Sequence, residues 1–115
     1  MSNEEKIWFE HILDAAEKAV KFSQNKSKED LKDDDMLYLA TLKCIEIIGE
    51  ASNRVSEQTR NQFQDIQWRD IIAMRNRLVH GYFDVDYTIL WNVVVNRLPE
   101  LIDKIKIILL NADNS

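Results

Sequence analysis

The sequence predicts an all-α fold, a bundle of four to five helices that forms one domain over residues 1–115. A chain of this length fits a single domain, and 45% hydrophobic with 30% charged residues is the balance of a folded globular protein. Only 2 Gly and 1 Pro are present, which is too few for the many tight turns of an all-β fold. Apolar residues instead recur at helical spacing along most of the chain.

This spacing predicts a first helix over residues 3–22. Ser2 stands at its N-cap, and Glu5 three residues later predicts a capping box in which the Glu5 side chain reaches back to the Ser2 backbone. Residues 23–33 are polar, with several lysines, serines and acids, and they predict an exposed connection.

A second helix is predicted to begin at residues 33–35 and to end near Val55. The three aspartates at its start suit the positive end of a helix dipole. Gly49 lies inside this helix, where glycine costs about 1 kcal/mol relative to alanine, and we expect it to allow another helix to approach closely. The apolar face comprises Met36, Leu37, Ala40, Cys44, Ile47, Ile48 and Ala51.

Residues 56–67 lose helical periodicity and predict a loop with at most a short helical turn. Residues 68–79 predict a third long helix. Gly81 is suited to end it, because glycine readily takes the left-handed conformation that follows many helices.

The last helix is predicted to run through Leu109, with Asp84 or Asp86 as its cap. Pro99 falls inside the helical pattern and has no backbone N–H to donate. We therefore expect a kink or a short break just before it.

The net charge of −5 argues against broad, non-specific binding to long nucleic-acid duplexes, which favours basic surfaces. Arg69, Arg75 and Arg77 nevertheless lie within nine residues, which is compatible with a local basic site. Cys44 is the only cysteine, so an internal disulfide is excluded and a reducing cytoplasm is suitable. No apolar run approaches the roughly 20 residues that span a bilayer, and residues 1–5 lack the pattern of a signal peptide. We expect a cytoplasmic protein without a membrane segment.

One short motif stands out, because Arg75 and Asn76 are followed by His80 and Tyr82 in the spacing Arg-x4-His-x-Tyr. This spacing resembles the signature of HEPN ribonucleases, specifically the HepT-like toxins of type VII toxin–antitoxin systems. The likeness covers most of the chain and is weakest in the first helix and the connection after it. Gln67 departs from the family, which often has proline there, and this affects a turn rather than the chemistry. The flanking sequences that resemble the family are Gly49-Glu50-Ala51, Trp68-Arg69 and Val85-Asp86.

The resemblance implies a HEPN-type bundle that forms a homodimer, with the motifs of two copies meeting in a composite cleft. It also implies a ribonuclease toxin that cuts mRNA or tRNA and is paired with a minimal nucleotidyltransferase antitoxin. That partner would neutralise the toxin by transferring AMP to the motif tyrosine, here Tyr82, because the modification puts bulk and negative charge where an RNA phosphate would bind.

The residue types suit metal-independent cleavage of RNA, in which the 2′-hydroxyl attacks the neighbouring phosphodiester. The intrinsic pKa of histidine, about 6.5, suits His80 to act as general base. Arg75 can offer a bidentate guanidinium to the charged transition state. Asn76 is expected to orient His80 or bind phosphate, and Tyr82 to hydrogen-bond phosphate or stack on a base. No cofactor is required, and two histidines without ligand spacing predict no metal site.

Arg75 and His80 are about 140° apart on an ideal helix, so one uninterrupted helix aims them poorly at a single phosphate. They can converge if Gly81 ends the helix and lets His80 swing, or if two copies contribute across a dimer. The resemblance implies the second arrangement.

Structural roles are open for the same residues. His80 near a helix C-terminus can complement the helix dipole. Arg75 can form a structural ion pair with Glu50, and Tyr82 can be a core aromatic. Cys44 on an apolar face predicts a buried, inert thiol. The main alternative function is a non-catalytic helical accessory module that docks on a nucleotidyltransferase, and a third is a structural dimer without a nucleic-acid role.

Overall fold

The computed structural model describes residues 1–81 and 85–113, with their side chains except at 79–81 and 113. Throughout this part of the chain every regular element is a helix and none is a strand, so the all-α prediction is confirmed. None of these helices is long and apolar enough to cross a membrane. The elements are α1 (Asn3–Ser23), α2 (Lys28–Asp33), α3 (Asp35–Arg54), α4 (Glu57–Gln62), α5 (Trp68–Gly81), α6 (Tyr87–Asn92), a π-helical segment (Val93–Arg97) and α7 (Leu98–Asp113).

α1 and α3 form the centre of the bundle, because α1 packs along both α3 and α7 while α3 also packs against α5. The side chains between them include Phe9, Ile12, Ile48 and Ile105, all at most 2% exposed. The four long segments, counting α6 to α7 as one, agree with the predicted four- to five-helix bundle, and α2 and α4 are short additions. α5 touches the rest chiefly through α3, so the contact between these two helices places the motif.

Of the two hydrogen bonds in the capping box predicted at the start of α1, one is present. The Ser2 side chain accepts a hydrogen bond from the Glu5 N–H at 3.1 Å. The Glu5 carboxylate does not return to Ser2 but accepts hydrogen bonds from the Ser56 N–H at 2.8 Å and the Thr59 hydroxyl at 2.5 Å. Hydrogen bonding by the Ser56 side chain, then by the Thr59 side chain, lowers the pKa of Glu5, and the Ser56 N–H adds to this effect. Glu5 therefore ties α1 to the start of α4, 51 residues away in the chain.

The exposed connection predicted for residues 23–33 is wrong over its second half, which forms α2. Ser27 and Asp30 make a complete capping box, with the Asp30 N–H donating to Ser27 Oγ at 3.2 Å and the Ser27 N–H donating to Asp30 Oδ2 at 2.9 Å. Leu31 is the one buried residue of this helix and is 1% exposed. One apolar residue gives no periodicity, which is why the sequence pattern missed the helix.

α3 begins and ends as predicted, but the assignment of Met36 to its apolar face is wrong, since Met36 is 83% exposed. The buried face instead follows Leu37, Thr41, Ile45 and Ile48, which are spaced three to four residues apart. Met36 lies about 100° away from Leu37 on the helix surface and so points away from the bundle.

The end of the chain confirms two predictions. Asp86 caps α6, accepting hydrogen bonds from the Thr88 N–H at 2.8 Å and the Ile89 N–H at 3.2 Å, whereas Asp84 lies outside the described residues. The predicted break before Pro99 is the π-helical segment, where the Leu98 N–H bonds to the carbonyl of Val93 rather than that of Val94. A proline in this position removes one i to i−4 bond, and the wider turn accommodates the loss.

Candidate active site

The N-terminal end of α5 is fixed by aromatic packing. Trp68, 8% exposed, meets the buried Phe9 ring of α1 edge to face, with ring centres 5.8 Å apart. The Phe63 ring also meets Phe9 edge to face at 5.9 Å. The Trp68 Nε1–H donates to the Phe63 carbonyl oxygen at 3.0 Å. A buried indole with its one donor satisfied anchors the start of the helix.

Farther along α5, Arg75 crosses α3 at Gly49. A Cβ atom built on Gly49 would overlap Cβ and Cγ of Arg75 and lie 3.4 Å from Cδ. Only a glycine lets the arginine stem lie directly on the backbone of α3. The prediction that Gly49 permits a close helix approach is confirmed.

The Arg75 guanidinium is held by two partners. Its Nη2 donates to Glu50 Oε1 at 2.9 Å, and its Nη1 donates to Asn76 Oδ1 at 3.1 Å. The Arg75 side chain is 27% exposed and that of Glu50 is 50% exposed, so the pair lies at the surface. Within the described part of the chain, the buried Nε of Arg75 has no hydrogen-bond partner. The ion pair between Arg75 and Glu50, expected as a structural role of Arg75, is present.

These residues line a cleft of about 360 Å³ between α3 and α5. Its walls place two guanidiniums, two amides and one carboxylate around a space that can hold a small anionic group. Asn53 and Arg54 were not predicted from the sequence, although both follow Glu50 at helical spacing and so share its face. The lining residues are Gly49, Glu50, Asn53, Arg54, Ile72, Arg75 and Asn76.

The other two motif residues are described only in part. α5 extends two residues beyond its predicted end and includes the backbone of His80 and Gly81; the His80 side chain and all of Tyr82 lie outside the described residues. Because the helix is uninterrupted from Trp68 to Gly81, positions 75 and 80 are separated by about 140° around its axis. The helix therefore does not end early enough to free residue 80.

Other candidates from the sequence do not join this cleft. Arg69 and Arg77 are exposed and are absent from its lining. Cys44 is buried and free, and burial raises the pKa of its thiol, as expected for an inert core cysteine. His11 is exposed, and its ring packs nearly perpendicular to the Trp8 ring, with ring centres 5.4 Å apart.

Comparison with known proteins agrees with the motif and the helical fold. The family described as "Ribonuclease HepT-like" matches residues 12–108, which is most of the chain. The chain belongs to this family. It is a HepT-like ribonuclease by descent, and the matched region contains α3, α5 and all the cleft residues.

Relatives of similar length support the assignment. A protein of Caldanaerobacter subterraneus subsp. tengcongensis named putative RNase is 35% identical over 89% of this chain and 91% of its own. A protein of Thermococcus cleftensis named probable ribonuclease HepT is 34% identical over 88% of this chain and 92% of its own length. A protein of Methanocaldococcus jannaschii named putative RNase is 29% identical over 90% of this chain and 94% of its own length. No solved structure matches the chain.

Proposed function

We propose that this HepT-like protein is the cytoplasmic toxin of a toxin–antitoxin system and cleaves RNA without a metal ion. The observation that supports this best is the Arg75 guanidinium, held at the surface of a cleft by Glu50 and Asn76 in the motif that resembles the family signature. A fixed guanidinium beside open space suits an RNA phosphate, since two of its N–H groups can meet two phosphate oxygens.

The proposed reaction uses the RNA's own 2′-hydroxyl as nucleophile. His80 takes the proton of that hydroxyl, the 2′-oxygen bonds to phosphorus, and the bond from phosphorus to the 5′-oxygen breaks. The departing 5′-oxygen takes a proton from solvent, and the other product carries a 2′,3′-cyclic phosphate. Arg75 stabilises the additional negative charge on the phosphate oxygens in the transition state.

The remaining motif residues support this chemistry. Asn76 holds Arg75 and can contact phosphate, and Tyr82 is proposed to hydrogen-bond phosphate or stack on a base. Glu50 orients Arg75 before RNA arrives. Its carboxylate repels phosphate, so we expect bound RNA to compete with the Glu50–Arg75 pair, while the second N–H groups of Nη1 and Nη2 remain available to phosphate.

A homodimer is part of the proposal, because the uninterrupted α5 directs positions 75 and 80 apart. In a twofold dimer, Arg75 of one protomer and His80 of the other can approach the same phosphate. One dimer then carries two equivalent composite sites.

The proposed antitoxin is a nucleotidyltransferase that transfers AMP to Tyr82. In this reaction the Tyr82 oxygen attacks the α-phosphorus of ATP, pyrophosphate leaves, and the hydroxyl proton is lost. The product carries a phosphodiester beside the RNA site, which competes with substrate by charge and by volume.

Cleavage of a single-stranded RNA oligonucleotide in excess EDTA tests the ribonuclease proposal. We expect the unmodified protein to produce 2′,3′-cyclic phosphate ends, and His80→Ala and Arg75→Ala to lose about 10²-fold or more in rate. Circular dichroism verifies that both variants are folded. Activity that disappears in EDTA and returns with magnesium would contradict the mechanism.

Expression of the chain alone in bacteria tests the toxin role. Growth arrest with new RNA ends for the parent but not for His80→Ala is the expected result. Normal growth and intact RNA would instead support a non-catalytic module that docks on a nucleotidyltransferase. For this result, circular dichroism must show that the protein is folded, and mass spectrometry must show that it carries no AMP. Coexpression with a nucleotidyltransferase should add AMP to Tyr82 and restore growth.

A further inference from the structure

A second arginine lies in the same cleft as Arg75. Arg54 occupies the last turn of α3 and lines the cleft together with Asn53. Its guanidinium carbon lies 4.9 Å from the centre of the Trp8 ring of α1. Trp8 is half-buried and packs against the core, so the position of its ring beside the arginine is fixed by that packing.

The two arginines of the cleft differ in their partners. The Arg75 guanidinium binds Glu50 and Asn76, whereas the Arg54 guanidinium has no hydrogen bond or ion pair to residues 1–81 and 85–113. Stacking on an aromatic face restrains the plane of a guanidinium while leaving its N–H edges available. Arg54 is therefore oriented but has its donors open to a ligand.

The charge and spacing of the cleft favour a polyanion. Its lining contains two arginines and one acid, Glu50, in a protein of net charge −5. Arg54 follows Glu50, the partner of Arg75, by one helical turn, a rise of about 6 Å along α3. Because Glu50 holds the Arg75 guanidinium, the two arginines are held at points of α3 one turn apart, which is compatible with two phosphates of one strand.

We propose that Arg54, stacked on Trp8, binds the RNA phosphate next to the one that is cleaved. This inference rests on the proposed ribonuclease function and extends the substrate site by one nucleotide along α3. Asn53 lines the same cleft, and its amide N–H is a further donor for the strand. The protein then holds a strand of at least two phosphates rather than a single scissile bond.

Arg54 also stands where a cation stabilises the C-terminal end of a helix dipole. A purely structural arginine would affect unfolding and would affect all substrates alike. A phosphate contact instead changes RNA affinity, its salt dependence and the advantage of longer substrates. The experiment separates these roles by comparing substrates and by a matched control.

The control is Lys43→Ala, which removes one positive charge from the same helix outside the cleft. Lys43 is 65% exposed and pairs only loosely with Glu46 at 3.7 Å. Binding is measured by fluorescence anisotropy with a single-stranded 2′-O-methyl oligonucleotide, which cannot be cleaved. Cleavage is measured on a ribodinucleotide with one phosphate and on a longer RNA.

Arg54→Ala should bind the oligonucleotide about tenfold more weakly than Lys43→Ala at low salt, and the slope of log K against log salt should fall by about 0.7. Its kcat/KM should fall for the longer RNA but not for the dinucleotide. Arg54→Lys keeps the charge without the stacked, forked donors, so we expect an intermediate loss.

Equal binding by Arg54→Ala and Lys43→Ala would overturn the proposal, and so would an equal loss on both substrates. Failure of the ribonuclease function is distinguishable, because then the parent protein would cut neither RNA. In that case a tenfold loss of oligonucleotide binding in Arg54→Ala still supports the phosphate contact.

Discussion

The two halves of α5 contact the bundle in different ways. At its start, Trp68 packs on the fully buried Phe9 and its indole N–H is satisfied by a backbone carbonyl. In its second half, Arg75 lies on Gly49 and ends in an exposed ion pair with Glu50. The first contact is apolar and closed, and the second is polar and opens on a cleft.

The start of α5 therefore contributes mainly to stability, and its second half carries the residue proposed to bind substrate. Burial of aromatic rings stabilises the start of α5, whereas an ion pair this exposed contributes about 1 kcal/mol or less. The weak contact can be exchanged for substrate without unfolding the helix. Substitutions in the aromatic contact should therefore act mainly on stability, whereas substitutions that remove the Arg75–Glu50 pair should act mainly on RNA binding and cleavage.

The largest expected effect is on stability at the closed end. Phe9→Ala should lower the free energy of unfolding by about 3–5 kcal/mol, because it leaves a cavity among Phe63, Trp68 and the α1–α3 core. Urea unfolding measures this change. Phe22→Ala on the same helix removes a ring that is 39% exposed, and a loss as large as that of Phe9→Ala would contradict the comparison.

At the open end, Gly49→Ala should destabilise the protein by about 1–3 kcal/mol despite the better helix propensity of alanine, because the new Cβ overlaps the stem of Arg75. RNA cleavage should fall as well, since the guanidinium is displaced. Thermal unfolding and initial rates measure the two effects. With Arg75→Gly present, the same change should become neutral or stabilising; if the penalty persists, the overlap is not its cause.

Glu50→Gln tests the polar contact by charge alone, because it keeps an oxygen for Arg75 but removes the charge that opposes phosphate. We expect binding of a 2′-O-methyl oligonucleotide to strengthen about threefold at low salt, with little change in unfolding. Glu46→Gln removes an acid from the same helix outside the cleft and is the control. Weaker binding by Glu50→Gln would mean that the positioning of Arg75 outweighs the repulsion.

The smallest expected effect concerns the contact between α1 and α4, far from the cleft. Hydrogen bonds from Ser56 and Thr59 lower the folded-state pKa of Glu5, so its stabilising contribution is present above its unfolded value of 4.5 and is lost as pH falls through the folded value. Glu5→Gln should therefore reduce stability most at neutral pH, and the difference from the parent should shrink in acid.

Urea unfolding at neutral and acidic pH measures this difference, with Glu4→Gln in the same helical turn as the control. A gap between the parent and Glu5→Gln that widens in acid would contradict the assignment. RNA cleavage at neutral pH should remain unchanged in both variants.

The long helices were predictable because each buries several apolar residues at regular spacing, and Asp86 and Pro99 marked the start and the irregularity of the last one. α2 was not, since it buries only Leu31 and depends on a local capping box. The role of Glu5 was not predictable either. Its partners Ser56 and Thr59 are distant in sequence, and a local cap explained the same residue equally well.

The site was predictable to the extent that its chemistry is local in sequence. Arg75 and Asn76 belong to one motif, and Gly49 with Glu50 flank it in the family resemblance. The stacking of Arg54 on Trp8 joins residues from two helices whose contact depends on the packing of the whole bundle. No spacing rule connects them.

The central claim is that Arg75 and His80 act on one phosphate from two protomers. Mixing the inactive Arg75→Ala and His80→Ala proteins, after mild unfolding and refolding to exchange subunits, tests it most directly. Half of the dimers should then be mixed and carry one complete composite site, so RNA cleavage should recover to about a quarter of the parent rate. A mixture as inactive as either variant alone, with subunit exchange verified by native mass spectrometry, would contradict the composite site.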